Sequence, residues 1–186
     1  IPLQSGSSKI LKLMQRRYKA ADYERLIYKI KKRMPDAGIG VDVIVGFPGE
    51  TNEDFLITHN FLRDLPISYL HVFTYSERPN TKAIELDSKV DVHERRKRNN
   101  ILRILSDKKR NEFYNQMFGK ELDVLFEHEN HNGVMKGFSS NYIRVLHPYI
   151  NDLVNIISPV KINGLSNDIC TGNILDTKKA VDLIVS

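Results

Sequence analysis

The sequence predicts an α/β layer followed by a small all-β barrel, and three observations carry that prediction. From Ser8 to about Phe118, short Val- and Ile-rich runs alternate with long charged segments whose apolar residues recur at helical spacing. Past Gly119 the helical period gives way to short β-like runs separated by turn formers. Among these, Asn132-Gly133 is the strongest hairpin signal in the chain, because a tight primed turn needs positive φ. The expected division is an α/β domain over 1–118, a β-barrel over 119–165 and a tail over 166–186.

The elements follow in order. Ile1-Pro2-Leu3 reads as the end of a strand, and Lys9–Gln15 as a helix with Ile10, Leu11, Leu13 and Met14 at helical spacing. Tyr23–Met34 repeats the theme, with Asp22 as its cap and Pro35 as its stop. Ile39–Phe47 is a buried strand closed by Gly-Phe-Pro-Gly. Thr51 opens a helix with Asp54 three residues on, a variant capping box, and Phe55, Leu62 and Leu65 share one side. Tyr69–Ser76 is the next strand. Asp91 and Glu94 open a long helix that runs to Met117, with Gly119 just past its end. This alternation is the grammar of parallel α/β folds. Glu121–Glu127, Val134–Ser139, Tyr142–His147 and Leu153–Ile162 are then the strands of a four- or five-stranded antiparallel barrel. Asp176–Val185 reads as a terminal helix or a loose strand.

Composition narrows the class. With 186 residues, 41% hydrophobic and 27% charged, the chain buries a real core, and collagen-like, low-complexity and disordered readings drop out. No apolar run approaches the roughly 18–20 residues that cross a bilayer, so the expectation is a cytoplasmic protein without a membrane partner. Residues 1–118 carry 22 Lys and Arg against 15 Asp and Glu, whereas 119–186 carry 6 against 8. The basic character therefore belongs to the first domain, where it forms either solvated helix faces or a surface for a polyanion such as RNA. The single cysteine, Cys170, excludes an internal disulfide and any multi-thiolate metal site built by this chain alone. The opening Ile1-Pro2-Leu3, as if cut into a strand, is what a fragment is expected to show.

Three strand ends are candidate ligand sites, because ligands in α/β sheets sit at the carboxyl ends of strands. Ile44-Val45-Gly46-Phe47-Pro48-Gly49 is the most informative, and it is no phosphate-binding loop, since the Lys and Ser/Thr pair is missing. At Gln4-Ser5-Gly6-Ser7-Ser8, polar side chains either contact a ligand or cap the next helix. At His71, Phe73 and Tyr75, alternation places three aromatic side chains on one face, as a ligand wall or as core. His128, Glu129 and His131 lack a third and fourth ligand, so no metal site is assigned.

Taken together, Pro2–Ser7 (PLQSGS), Leu13–Tyr18 (LMQRRY), Ile44–Thr51 (IVGFPGET) with Glu53-Asp54-Phe55, and His71–Arg78 (HVFTYSER) with Thr81 and Ala83 resemble the radical S-adenosylmethionine methylthiotransferase family over most of residues 1–162. The closing module, with Gly119-Lys120 ahead of it and Ile157–Ile162 at its end, resembles that family's RNA-binding TRAM domain. The resemblance implies the C-terminal half of a partial (βα) radical SAM barrel followed by a TRAM barrel. Within the family, PLQSGS argues against the ribosomal-protein branch, which usually has a histidine where Ser5 stands, and Arg16-Arg17-Tyr18 and Leu70–Phe73 are most similar to the branch acting on N6-threonylcarbamoyladenosine in tRNA. The alternatives are the isopentenyladenosine branch and a non-enzymatic RNA-binding adaptor.

What the family implies is radical chemistry with S-adenosylmethionine and two 4Fe-4S clusters, in which a methylthio group replaces the C2 hydrogen of the modified adenosine beside the anticodon. The sulfur donor is left open. The first cluster sits on a Cys-x-x-x-Cys-x-x-Cys motif. Neither cysteine triplet occurs here, so the 186 residues are expected to hold no catalytic residue and to be inactive alone. The resemblance places Gln4 and Ser5 by the ribose or amino-acid portion of the cofactor. Ile44, Gly46 and Phe47 fall on its adenine side, with Phe73, Thr74 and Tyr75 touching adenine mostly through backbone. Arg17 is assigned to the cofactor carboxylate or a tRNA phosphate. Arg95, Arg96, Arg98, Lys120, Lys136, Arg144 and Lys161 are the expected RNA contacts.

Overall fold

A computed structural model describes residues 1–86, 88–130 and 132–175, and the chain divides into two compact units between Arg110 and Asn111. In the first unit β1 (Pro2–Gln4), β2 (Gly40–Val45) and β3 (Tyr69–Thr74) form a parallel sheet in the order β1-β2-β3. Parallel neighbours need crossover connections. Helices α1 (Ser8–Leu13) and α2 (Ala20–Arg33) supply the first, and α3 (Asn52–Asp64) the second. Val41, Val43 and Val45 alternate inward on β2 and pack with Leu3, Ile27, Phe55, Leu62 and Leu102. The other face, with Ile44 opposite Phe73 and Asp42 opposite His71, is more open, and Phe73 is 54% exposed. The strand-plus-helix reading is thus borne out.

Helix starts follow local chemistry. The Thr51–Asp54 box forms as expected: the Asp54 amide donates to Thr51 Oγ1 at 3.2 Å and the Thr51 amide to Asp54 Oδ2 at 3.0 Å. In α2 the cap position falls on Lys19, and Asp22 lies inside the first turn, where its carboxylate accepts the Lys19 amide at 3.0 Å. Asp22 therefore does a capping task from the opposite end of the box.

Helix α4 (Val92–Asn115) runs along the outer edge of β3. A strand edge leaves amides and carbonyls without ladder partners, and α4 side chains supply them. Ser106 Oγ accepts from the Leu70 amide at 2.8 Å and donates to the Leu70 carbonyl at 3.1 Å. Asn99 Nδ2 reaches the Val72 carbonyl at 3.3 Å, and an Arg95 guanidinium nitrogen reaches that of Tyr75 at 3.2 Å.

The second unit is a closed barrel of β4 (Glu121–Phe126), β5 (Val134–Ser139), β6 (Arg144–Pro148), β7 (Ile157–Ser166) and β8 (Ile169–Ile174) in the order β4-β5-β6-β8-β7. Three expectations are corrected. Phe113 and Tyr114 in the last turn of α4, and Met117 just past it, are buried in the barrel core, so the boundary lies within the helix rather than at 118/119. The barrel does not stop at 165: Asn167 and Asp168, at φ of 49° and 58°, turn the chain into β8, which pairs antiparallel with β7 and parallel with β6. Asn132 and Gly133 do take positive φ, 54° and 80°, but they close a longer loop between β4 and β5. The reading of Asp176–Val185, and His131, lie outside the described residues. No helix among the described residues is long and apolar enough to cross a membrane.

Asp54 ties α3 to the start of α1, accepting from Ser7 Oγ at 2.8 Å and Lys9 Nζ at 2.6 Å. Burial alone raises its pKa, but the hydrogen bonds from Lys9, Thr51 and Ser7 outweigh that and hold the carboxyl at about 2, against an ordinary 3.8. A carboxyl depressed by folding contributes stability that is complete above its unfolded pKa and lost as pH falls through its folded one. Thermal unfolding from pH 5 to pH 2 tests this: the wild type is expected to lose more of its midpoint than Asp54→Asn does, and parallel curves contradict it.

Candidate functional site

Strands β2 and β3 end level with one another, Val45 opposite Thr74, and the chain leaving each forms a cleft. After Val45 the backbone turns at Gly46, with φ of +76°, and Gly49, with φ of +86°. A side chain at Gly46 is strained by that φ and collides with the Arg95 side chain, so only glycine fits. The turn is closed by Glu50, whose Oε2 accepts the Gly46 amide at 2.7 Å.

Two arginines of α4 lock this turn. Arg98 donates to Glu50 Oε2 at 2.6 Å and to the Glu50 carbonyl at 3.1 Å, and it also reaches Asn52 Oδ1 at 2.6 Å and Glu94 Oε1 at 3.2 Å. The Arg98 and Glu50 side chains are 3% and 1% exposed. Burial pushes the Glu50 carboxyl up from its usual range, while the Gly46 amide and Arg98 act against it. Arg95 donates to the Val90 carbonyl at 2.7 Å, the Tyr75 carbonyl at 3.2 Å and Glu77 Oε1 at 2.8 Å, and its guanidinium lies 5.4 Å from the Tyr75 ring centroid.

The cleft has a volume of about 630 Å³. Ile44 and Phe47 come from the end of β2, and Phe73, Thr74, Tyr75 and Ser76 from the end of β3. Leu13–Arg16 at the end of α1, with Arg78, Thr81, Lys82, Ala83 and Leu86, complete the lining. Phe47 and Tyr75 meet edge to face at 5.3 Å. The Tyr75 hydroxyl is buried with no hydrogen-bond partner.

Five of the nine residues expected at a cofactor thus line one cleft: Ile44, Phe47, Phe73, Thr74 and Tyr75, with Gly46 shaping the turn beside them. Three do not. Ser5 is fully buried, its Oγ 3.1 Å from Thr58 Oγ1 and accepting the Ser7 amide at 3.1 Å, so its hydroxyl fastens β1 to α3. Gln4 is buried outside the lining, and Arg17 is exposed while its neighbour Arg16 lines the cleft. Leu13–Arg16, Thr81 and Ala83 stood in the quoted motifs but were assigned no cofactor contact, and Lys82 was not singled out.

The expected RNA contacts divide in the same way. Arg95 and Arg98 are buried and ion-paired, which corrects their assignment to phosphates, whereas Arg96 is exposed. On the barrel, Lys136 and Arg144 lie on adjacent strands, and Lys120 precedes β4. Lys161 is on β7, beyond the outward Glu121 and Asp123 of β4. Cys170 is buried in the barrel, and burial pushes its thiol up to about 12. No group of three His, Cys, Asp or Glu among the described residues is placed to hold a metal ion.

Comparison with known proteins gives the class first. Residues 1–62 match the Radical SAM superfamily profile, in keeping with a parallel sheet whose strand ends form a ligand-sized cleft. Over 145 residues, 78% of this chain and 34% of the relative, the sequence is 46% identical to the Aquifex aeolicus protein named Threonylcarbamoyladenosine tRNA methylthiotransferase MtaB. A Bacillus subtilis protein of the same name is 36% identical over 166 residues, 87% of this chain and 37% of the relative. The Endomicrobium trichonymphae protein named tRNA-2-methylthio-N(6)-dimethylallyladenosine synthase is 40% identical over 174 residues, 91% and 41%. The chain belongs to the radical SAM methylthiotransferase family, and it spans between a third and about two fifths of the length of these relatives.

Removing one partner of a buried ion pair strands the other charge, at a cost of about 3–5 kcal/mol. Arg98→Met is therefore expected to destabilise the first unit by about that amount in chemical denaturation, and a loss below about 1 kcal/mol, the scale of an exposed pair, contradicts the lock.

Proposed function

We propose that this chain is the part of a tRNA methylthiotransferase that holds the adenosine end of S-adenosylmethionine, joined to a TRAM-like barrel that contacts the tRNA. The observation that carries the reading is the aromatic cleft at the carboxyl ends of β2 and β3, formed by residues of the IVGFPGET and HVFTYSER segments. Its chemistry suits a nucleoside. Ile44 and Phe47 offer apolar and aromatic surface for a base, Tyr75 carries a buried hydroxyl that has no partner within the protein, and Arg16 brings a guanidinium to the lining for a carboxylate.

The residues present do not fit an iron–sulfur cluster, since the one thiol is buried in the barrel. We assign both 4Fe-4S clusters to cysteines outside this chain and read these 186 residues as inactive by themselves. Bound S-adenosylmethionine supplies the family's radical chemistry. What this chain contributes is a cleft that binds and orients the adenosine and shields it from water, and basic groups for the phosphates of tRNA in the cytoplasm, among them the exposed Arg96 and Lys161 and the half-buried Lys136 and Arg144.

The substrate we assign is N6-threonylcarbamoyladenosine, supported by the 46% identity to the Aquifex aeolicus relative. The 40% identity to the Endomicrobium trichonymphae protein favours the dimethylallyl (isopentenyl) nucleoside as the second reading. Mass spectrometry of nucleosides from total tRNA, comparing a strain lacking the intact gene with its parent, decides. Loss of only the methylthio form of threonylcarbamoyladenosine is expected. Loss of the methylthio-isopentenyl form instead moves the substrate to the second reading, and no change in either overturns the enzymatic reading in favour of an adaptor.

A further inference from the structure

We infer that Arg95 is a positioning residue for the cleft: it sets Tyr75 so that the phenol makes a side-chain hydrogen bond to the bound nucleoside. This rests on the reading of the cleft above and goes beyond it, since the family resemblance assigned Arg95 to tRNA phosphates and Tyr75 to backbone contact, and the cleft reading gave Arg95 no role.

The argument begins with the hydroxyl. A buried polar atom without a partner is rare in a folded protein and costs free energy that a ligand recovers when it supplies the missing bond. The Tyr75 hydroxyl is such an atom, on a residue lining the cleft. Its ring has little freedom, with Phe47 packed at its edge and the Arg95 guanidinium 5.4 Å from its centroid. Arg95 also fixes the backbone beneath, through the Tyr75 carbonyl, and anchors that grip at the Val90 carbonyl and Glu77. The same side chain packs against Gly46, so it joins the two strand ends that flank the cleft. Three acceptors in different directions require the planar fork of arginine. A lysine keeps the stem and the charge but serves them from a single ammonium.

The test is binding of S-adenosylhomocysteine, which is not consumed, to the intact cluster-reconstituted protein by calorimetry, for wild type, Arg95→Lys, Tyr75→Phe and the double variant. Tyr75→Phe removes one neutral hydrogen bond and is expected to weaken binding about 3- to 10-fold. Arg95→Lys is expected to weaken it about 10-fold. The double variant should be no weaker than Arg95→Lys, because the arginine acts through the tyrosine. The affinity for tRNA and its salt dependence should stay at wild-type values in Arg95→Lys and in Arg95→Met, since the guanidinium is buried.

Additive losses in the double variant, unchanged affinity in Tyr75→Phe, or a shallower salt slope for tRNA in Arg95→Met would each overturn the inference. Failure of the wild type to bind S-adenosylhomocysteine would instead overturn the reading of the cleft. Should Arg95→Lys not fold, Glu77→Gln loosens the same guanidinium from a half-exposed partner, and the cycle is run with it.

Discussion

The outer edge of β3 exposes backbone donors and acceptors that a neighbouring strand would otherwise satisfy, and α4 meets that need with side chains. Ser106 serves Leu70, Asn99 serves Val72, and Arg95 serves Tyr75. Because these contacts climb the helix as they follow the strand, α4 is fixed in register with β3, and register decides what its first turns reach. They reach the strand ends, where Arg98 meets Glu50 and Arg95 lies between Gly46 and Tyr75. The shape of the cleft is thus a consequence of how the sheet edge is satisfied.

This arrangement trades hydrophobic burial for direction. A leucine at position 98 would fill the space without the cost of desolvating a charge, but only a guanidinium can hold the Glu50 carboxylate, its carbonyl and Asn52 together. Glu50 in turn holds the Gly46 amide, which keeps the left-handed turn that carries Phe47 to the cleft. The apolar core below, from Val41, Val43 and Val45 to Leu102, supplies the stability on which these polar contacts rest.

Much of the fold was legible because it is written in periods. A Val- and Ile-rich run closed by Gly-Phe-Pro-Gly marked β2, Thr51 and Asp54 marked the start of α3, and Asn132-Gly133 marked a turn. The stripe on α4 was not legible. Arg95, Arg98, Leu102, Leu105, Ser106 and Lys109 are buried at helical spacing, but the stripe mixes charged with apolar residues, so Arg95 and Arg98 read as part of a solvated basic run. Ser5 misled for a related reason, since a hydroxyl at a strand end serves a ligand or a neighbouring helix equally well, and only the position of Thr58 distinguishes them. Strand β8 was hidden by its turn, where Asn167-Asp168 takes the positive φ more often signalled by Asn-Gly. The core of the cleft, from Ile44 to Phe47 and Phe73 to Tyr75, came through a motif whose polar support lies twenty or more residues further along the chain.

The central claim is that the ends of β2 and β3, held by α4, form the nucleoside site. Hydrogen exchange of the intact protein with and without S-adenosylhomocysteine tests it most directly. The account predicts ligand-dependent protection at residues 44–47 and 73–76, with the α4 segment that carries Arg95 and Arg98 slowed as well because it is coupled to both. Protection confined to other parts of the protein, with these segments exchanging as they do without ligand, would contradict it.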